Sequence, residues 1–301
     1  ISEEPVISEE LSAPEAAASI PKQAIRVSQR FMGSLVRRIA DFDQGLKPRP
    51  RRQNRPANVF PGREIPVFHG ASTVKPRIKL AESTTPDGGT LALFEHDGEF
   101  SIFLDGKELM HSMVTASESL LGSLGVERLK PAAANRVLIG GLGLGFTLKA
   151  ALATTGANTR IEVAELLPAV IEWNRTHMRK LNGSLLAEPR VEIRHGDVGR
   201  LIREAAPTTY DAILLDVDNG PIAMVADNNS SIYSTSGIKS ICRALRPDGR
   251  FIVWSAGPDE KFENRVRKAG LVPEPIRAKA HEGAKRASYL LYVVQLPADR
   301  L

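Results

Sequence analysis

Residues 136–153 read RVLIGGLGLGFTLKAALA. Arg136–Ile139 is a short, largely apolar strand, and Gly140-Gly141-Leu142-Gly143-Leu144-Gly145 follows at once. Phe146–Ala153 then reads as a helix. A strand that turns into a helix through Gly141-x-Gly143-x-Gly145 lets a ligand approach the backbone closely, because glycine has no Cβ and takes positive φ freely. The helix start adds unpaired N–H groups and a positive dipole, which suit an anionic group. Taken alone, such a turn is equally an ordinary structural one. Its neighbours decide.

Downstream, strand and helix alternate. Ile161–Glu165 is a strand and Pro168–Leu181 a helix. Val191–Arg194 is a strand ending at Gly196-Asp197, followed by a helix over 198–205. Ala212–Leu215 is a strand ending at Asp216. Ser236–Leu245 is a helix, Arg250–Ser255 a strand and Lys261–Ala269 a helix. Two strands near 271–277 and 288–296 close the chain. This alternation predicts an α/β fold, a Rossmann-like, doubly wound, mostly parallel sheet. Ligands bind beyond the carboxyl ends of such strands. Glu165, at the second strand end, is placed to accept both hydroxyls of a ribose. Asp197, at the third, is placed to reach an adenine amino group. Loop and acids in this order point to an adenosine-containing ligand.

Upstream, the pattern is β. Arg77–Ser83, Thr90–His96 and Phe100–Leu104 alternate or run apolar, broken at Asp97-Gly98 and Asp105-Gly106. Asp-Gly between such runs signals hairpins, so a small antiparallel unit of three or four strands is expected. A helix over 112–124 follows, with Ser117 and Glu118 in it and Gly122 and Gly125 marking its end.

The first quarter differs. Residues 1–76 hold 12 of the 40 Lys+Arg, 8 of the 35 Asp+Glu and 9 of the 20 prolines, so most of the net charge of +5 sits there. Residues 1–20 carry five Glu and no cation, whereas 47–63 carry Lys47, Arg49, Arg51, Arg52, Arg55 and Arg63. Such a segment cannot bury enough apolar surface to offset its ordering entropy, and it reads largely as a flexible arm. Within it, Ile25, Phe31, Met32, Leu35, Val36, Ile39 and Phe42 give a short amphipathic helix near 25–42. A nucleic-acid or membrane contact through 21–63 is compatible with this pattern but not favoured, since aromatic stacking platforms are lacking. The expected division is 1–76 arm, 77–125 β unit plus helix, and 126–301 ligand-binding domain.

Other chemistries fit poorly. One cysteine, Cys242, excludes a disulfide framework, and neither it nor the six scattered histidines suggest a metal site. There is no Gly-x-Ser-x-Gly elbow, no phosphate loop with Gly-Lys-Ser/Thr, and no apolar run of about 18 residues. A cytoplasmic protein is expected.

The pyrophosphate fingerprint Gly-x-Gly-x-x-Gly is not met, because Phe146 and Leu148 stand at the third-glycine positions. The spacing instead resembles the adenosylmethionine loop of class I methyltransferases. Leu245-Arg246-Pro247-Asp248-Gly249 resembles their helix–turn–strand stretch L-K-P-G-G, and the closing strand pair fits their seven-stranded sheet. The order of features over roughly 77–297 resembles the spermidine-synthase-like branch of that superfamily. Where its polyamine synthases read G-G-G-D-G-G, this chain has Gly143 in place of the aspartate that helps hold the aminopropyl end. Their D-S-x-D-P-x-G-P is matched by Asp216-Val217-Asp218-Asn219-Gly220-Pro221, two residues shorter. Ser117-Glu118 lies near their H-E pair, and Ile232-Tyr233 loosely echoes their F-Y pair.

The resemblance implies S-adenosylmethionine or its decarboxylated form as donor, a small-molecule acceptor of amine type, no metal, and a homo-oligomer. On it, Gly141, Gly143, Gly145, Glu165, Asp197 and Glu118 serve the donor. Asp216 is the base, Asp218 holds the substrate cation and Tyr233 orients the acceptor. A diammonium substrate needs carboxylates at both ends, and two of the family's acids are absent or displaced. Methyl transfer is therefore preferred over aminopropyl transfer. A non-catalytic adenosyl-binding module is the remaining alternative. The segment 277–286, with Arg277, Lys279, Lys285 and Arg286, suggests an anionic acceptor or partner.

Overall fold

The computed structural model describes residues 75–86, 88–217 and 230–299. The helix expected near 25–42, the basic run 47–63 and Asp218 lie outside the described residues.

The β unit is a four-stranded antiparallel meander, β1 (Ile78–Thr84), β2 (Thr90–His96), β3 (Glu99–Leu104) and β4 (Lys107–His111). Asp97 and Gly98 have φ of 53° and 86°, and Asp105 and Gly106 have 48° and 77°. Positive φ at both central residues is what a tight primed hairpin turn requires, and Asp-Gly supplies it with little strain.

The helix after it, α1 (Ala116–Val126), runs past both glycines expected to end it. Their role is close approach. A Cβ on Gly122 would stand 2.2 Å from the Thr147 carbonyl oxygen, and one on Gly125 would stand 2.1 Å from Leu214 Cδ2. The missing side chains let α1 press onto the main domain.

That domain runs β5 (Arg136–Gly140), α2 (Phe146–Thr154), β6 (Arg160–Glu165), α3 (Pro168–Arg175), α4 (Arg179–Asn182), β7 (Val191–His195), α5 (Val198–Glu204) and β8 (Tyr210–Leu215). After a gap in the described residues come α6 (Ser230–Tyr233), α7 (Thr235–Ala244), β9 (Leu245–Ser255), α8 (Glu260–Lys268), β10 (Pro273–Ala278) and β11 (Tyr289–Gln295). Among the described residues the main sheet has the order β10-β11-β9-β8-β5-β6-β7. Strands β5 to β9 pair in parallel, while β11 is antiparallel to both β9 and β10. This is the mostly parallel, doubly wound α/β fold expected, with its one reversed strand.

Two details depart from expectation. The helix expected over 168–181 is two pieces, α3 and α4. Strand β9 begins at Leu245, and the Pro-Asp-Gly turn is a bulge within it. Tyr210 pairs with Leu245 but Ala212 pairs with Arg250, and Asp248 takes the extra residues around at φ 57°.

Each face of the sheet covers its own core, because side chains alternate along a strand. Ala212 and Leu214 face one cluster with α1 and α2, while Ile213 and Leu215 face the other with α5, α7 and α8. The first cluster also contains Leu91, Leu93, Phe100, Ile102 and Leu104 of the small sheet. The β unit and the main domain thus share one core.

Candidate adenosyl and acceptor site

The parallel strands β5, β6, β7 and β8 end along one edge, and the predicted glycine loop leaves β5 there. Gly141, Gly143 and Gly145 have φ of 90°, 50° and 88°. A Cβ on Gly141 would stand 2.2 Å from the carbonyl oxygen of Asp216. The loop is therefore held against the end of β8, and the Asp216 N–H also donates to the Gly140 carbonyl at 2.8 Å. Gly145 caps α2, whose first N–H groups open toward the loop.

Glu165, at the end of β6, is buried. Its Oε2 accepts from the Leu142 N–H at 2.9 Å and its Oε1 from the Leu167 N–H at 2.8 Å. Burial pushes its carboxyl up, opposed by these backbone donors. Asp197, after β7, caps α5 by accepting from the Arg200 N–H at 2.6 Å. Its cap duty occupies Oδ1. His195 ends β7, exposed, with Nε2 3.2 Å from the Leu166 carbonyl oxygen, and is a wall residue.

A second support of the loop had no signal in the sequence. Asn174 of α3 donates from Nδ2 to the Gly143 carbonyl at 2.9 Å. Asn182 of α4 donates in turn to Asn174 Oδ1 at 2.6 Å. Both asparagines are buried. The break between α3 and α4 is what lets the second one face back toward the first.

Asp216 and Glu118 come together across α2. Thr147 Oγ1 stands 2.8 Å from Asp216 Oδ2 and 3.3 Å from the Glu118 carbonyl oxygen. Ser117 donates to Glu118 Oε2 at 2.6 Å. Burial, and after it the charge of Asp216, pushes Glu118 up to about 7. Burial pushes Asp216 up to about 6, against the Thr147 hydroxyl and with a contribution from Glu165. The charge of Asp216 thus helps Glu118 hold its proton. Tyr289, at the start of β11, is raised by burial and by the charge of Glu118. Its ring stacks on Trp254 at 4.8 Å. The Trp254 indole N–H is buried with no acceptor among the described residues. Neither aromatic was singled out in the sequence, because strands β9 and β11 carry them far from the motifs.

Tyr233 is not brought to this pair. It is fully buried in the other core cluster, edge-on to Phe262 with centroids 6.0 Å apart. It packs there on the α7 and α8 side of the sheet.

The arrangement offers a glycine cradle with a buried strand-end acid on one side. On the other side lies a protonation-poised carboxyl pair walled by aromatics. No protein-family model matches the chain. Over 198 residues it is 30% identical to polyamine aminopropyltransferase 1 of Streptomyces coelicolor, a match covering 64% of this chain and 34% of that one. It is 33% identical over 150 residues to the polyamine aminopropyltransferase of Mycobacterium tuberculosis, covering 47% and 28%. It is 30% identical over 114 residues to putrescine N-methyltransferase 2 of Nicotiana attenuata, covering 38% and 29%. The matched region spans about a third of the length of these curated relatives.

Among solved structures, the spermidine synthase of Thermotoga maritima superposes with a TM-score of 0.53 at 17% identity, covering 72% of each chain. A probable spermidine synthase of Corynebacterium glutamicum does so with 0.52 at 15%, covering 74% and 80%. At such identities the structures show the fold alone. The chain has the spermidine-synthase-like fold and is similar in sequence to polyamine aminopropyltransferases and putrescine N-methyltransferases.

Proposed function

We propose that the chain is an adenosyl-dependent transferase that alkylates an amine, with S-adenosylmethionine as donor and methyl as the group moved. The observation that carries this reading is the carboxyl pair Glu118–Asp216 at the mouth of a glycine cradle that Glu165 braces. The fit is physical. The cradle has no Cβ where a ligand backbone contact is needed. Glu165 stands at the strand end where ribose hydroxyls would lie, and the N–H groups at the start of α2 suit the donor's carboxylate. Asp197 serves the adenine edge with its remaining oxygen.

The donor, when bound, supplies a carbon on a sulfonium that an in-line nucleophile can displace. The chain's own task is to position and to move one proton. Asp216 accepts the proton that the amine nitrogen sheds as its new N–C bond forms, and Thr147 fixes the orientation of that carboxylate. Glu118 takes the donor's ammonium end. Asp218, outside the described residues, is proposed from sequence alone to hold the substrate cation, the reacting amine before it sheds its proton.

Methyl is preferred because Gly143 puts no carboxylate in the loop. The atom nearest to a Cβ there would be Met110 Sδ, at 3.3 Å. An aminopropyl ammonium would need an acid at that point. Aminopropyl transfer remains the second reading, favoured by the two aminopropyltransferase relatives.

Calorimetric titration with S-adenosylmethionine, its decarboxylated form and NAD separates the readings. Tighter binding of intact S-adenosylmethionine is expected. Preference for the decarboxylated form would shift the reaction to aminopropyl transfer, and binding of NAD alone would overturn the adenosyl assignment.

A further inference from the structure

We infer that the acceptor is zwitterionic: an amine at the reacting end and a carboxylate or phosphate at the other, rather than a diamine. This rests on the proposed amine alkylation and names its substrate class. The topology places the determinant. Strand β10 runs the same way as β9, since both are antiparallel to β11. It therefore ends, at Ala278, on the edge of the sheet where Asp216 lies. The segment 279–288 crosses that edge and returns at Tyr289.

It is pinned to α1. The Ala116 N–H donates to the Ala280 carbonyl at 3.2 Å, and the Ser288 N–H closes the segment onto the Ala278 carbonyl at 3.0 Å. Ala116 is two residues before Glu118, about 3 Å of helix rise. At the other end, Tyr289 feels the Glu118 charge directly. The segment thus borders the carboxyl pair from two sides.

Its charge is opposite to that of the pair. Arg277, Lys279, Lys285 and Arg286 are all exposed, and among the described residues none forms an ion pair. Glu282 is the one acid in the segment, and His281 is also exposed. Three cations on this segment, with Arg277 just before it on β10, raise the local concentration of anions along this edge and repel a second ammonium. An acceptor that satisfies both poles puts its amine on Asp216 and its anion on this rim. A diamine satisfies only the first among the described residues.

The test uses the full chain saturated with S-adenosylhomocysteine, titrated with four acceptors matched in length. These are butylamine, 1,4-diaminobutane, 4-aminobutanoate and 3-aminopropyl phosphate. At least one of the two anion-ended amines is expected to bind about tenfold more tightly than butylamine, and 1,4-diaminobutane more weakly. Which of the two binds better tells carboxylate from phosphate. The preference should fall with added KCl. It should vanish in the triple variant Lys279→Glu, Lys285→Glu, Arg286→Glu, whose positions are exposed and whose S-adenosylhomocysteine affinity should be retained. Tightest binding of 1,4-diaminobutane, or a preference unmoved by the triple variant and by salt, would overturn the inference alone. Failure of S-adenosylhomocysteine to bind would instead overturn the adenosyl reading and this inference with it.

Discussion

In the proposed reaction Asp216 is the residue on which the chemistry turns, and its isostere makes the test clean. Asparagine keeps the shape and still accepts from Thr147, but it cannot take a proton. Asp216→Asn is expected to lower kcat by about 10²–10⁴-fold while leaving the adenosyl affinity within a few-fold. In the parent protein kcat/KM should rise with pH through about 6 as Asp216 ionises, and that limb should be lost in the variant. Equal loss of binding and turnover would contradict the role of base. Glu118 gives a stability prediction of definite sign. Its folded value, about 7, lies above the ordinary 4.5, so the folded state holds the proton more tightly. Folding stability contributed by this group is therefore present at low pH and is lost as pH rises from about 4.5 through 7. Glu118→Gln mimics the protonated form. It should raise Tm at pH 8, by an amount worth at most about 3 kcal/mol, and change little at pH 4.5. A destabilised variant at pH 8 would contradict the buried-charge account. The positions of Glu165, Asp197 and Asp216 at or just after strand ends were legible because apolar runs of strand length end at them. The burial of Tyr233 in the second cluster was not legible, because a two-residue motif carries no information about which sheet face it reaches. Thr147, Trp254 and Tyr289 could not be seen, since only the fold brings them beside Glu118 and Asp216.

At the scale of elements, the glycine loop is a bent segment wedged between β8 and the α3–α4 break. Positive φ and the lack of room act together at Gly141. Gly141→Ala should weaken S-adenosylmethionine binding about 100-fold or more and lower Tm, because the loop must leave the Asp216 carbonyl. Asn174→Ala removes the donor to the Gly143 carbonyl together with the acceptor of the buried Asn182 amide. It should cost about tenfold in the same Kd with a smaller fall in Tm, and calorimetry with thermal denaturation reads both. Equal, small effects would mean that the loop is not preformed. The hairpins of the small sheet were predictable from Asp-Gly because that pair has one favourable turn. The end of α1 was not. Glycine is read from sequence as a terminator, but Gly122 and Gly125 serve packing against α2 and β8, a contact outside any local window.

Across the whole molecule, the division into a β unit and a ligand domain is a division of sequence rather than of core. Ile102 of β3 is fully buried in the same apolar cluster as Val137, Ile139 and Leu148 of the main domain. Two parts that share one apolar cluster are expected to unfold together, since either alone would expose the face it shares. Denaturation of the full chain should show one transition, with far-ultraviolet dichroism and Trp fluorescence coinciding. Trp173 and Trp254 both report from the main domain. Ile102→Ala should shift that single transition by about 2–5 kcal/mol. It should move the tryptophan signal as much as the dichroism, although neither indole lies in the mutated sheet. A tryptophan transition that stays in place while the dichroism splits would separate the two units. It would also detach α1 and Glu118 from the ligand domain, because α1 is the element that joins them. The carboxyl pair depends on this shared core. Glu118 is carried by α1, which follows β4 in the chain and packs on α2 and β8, so loosening the small sheet should weaken acceptor binding before it weakens adenosyl binding.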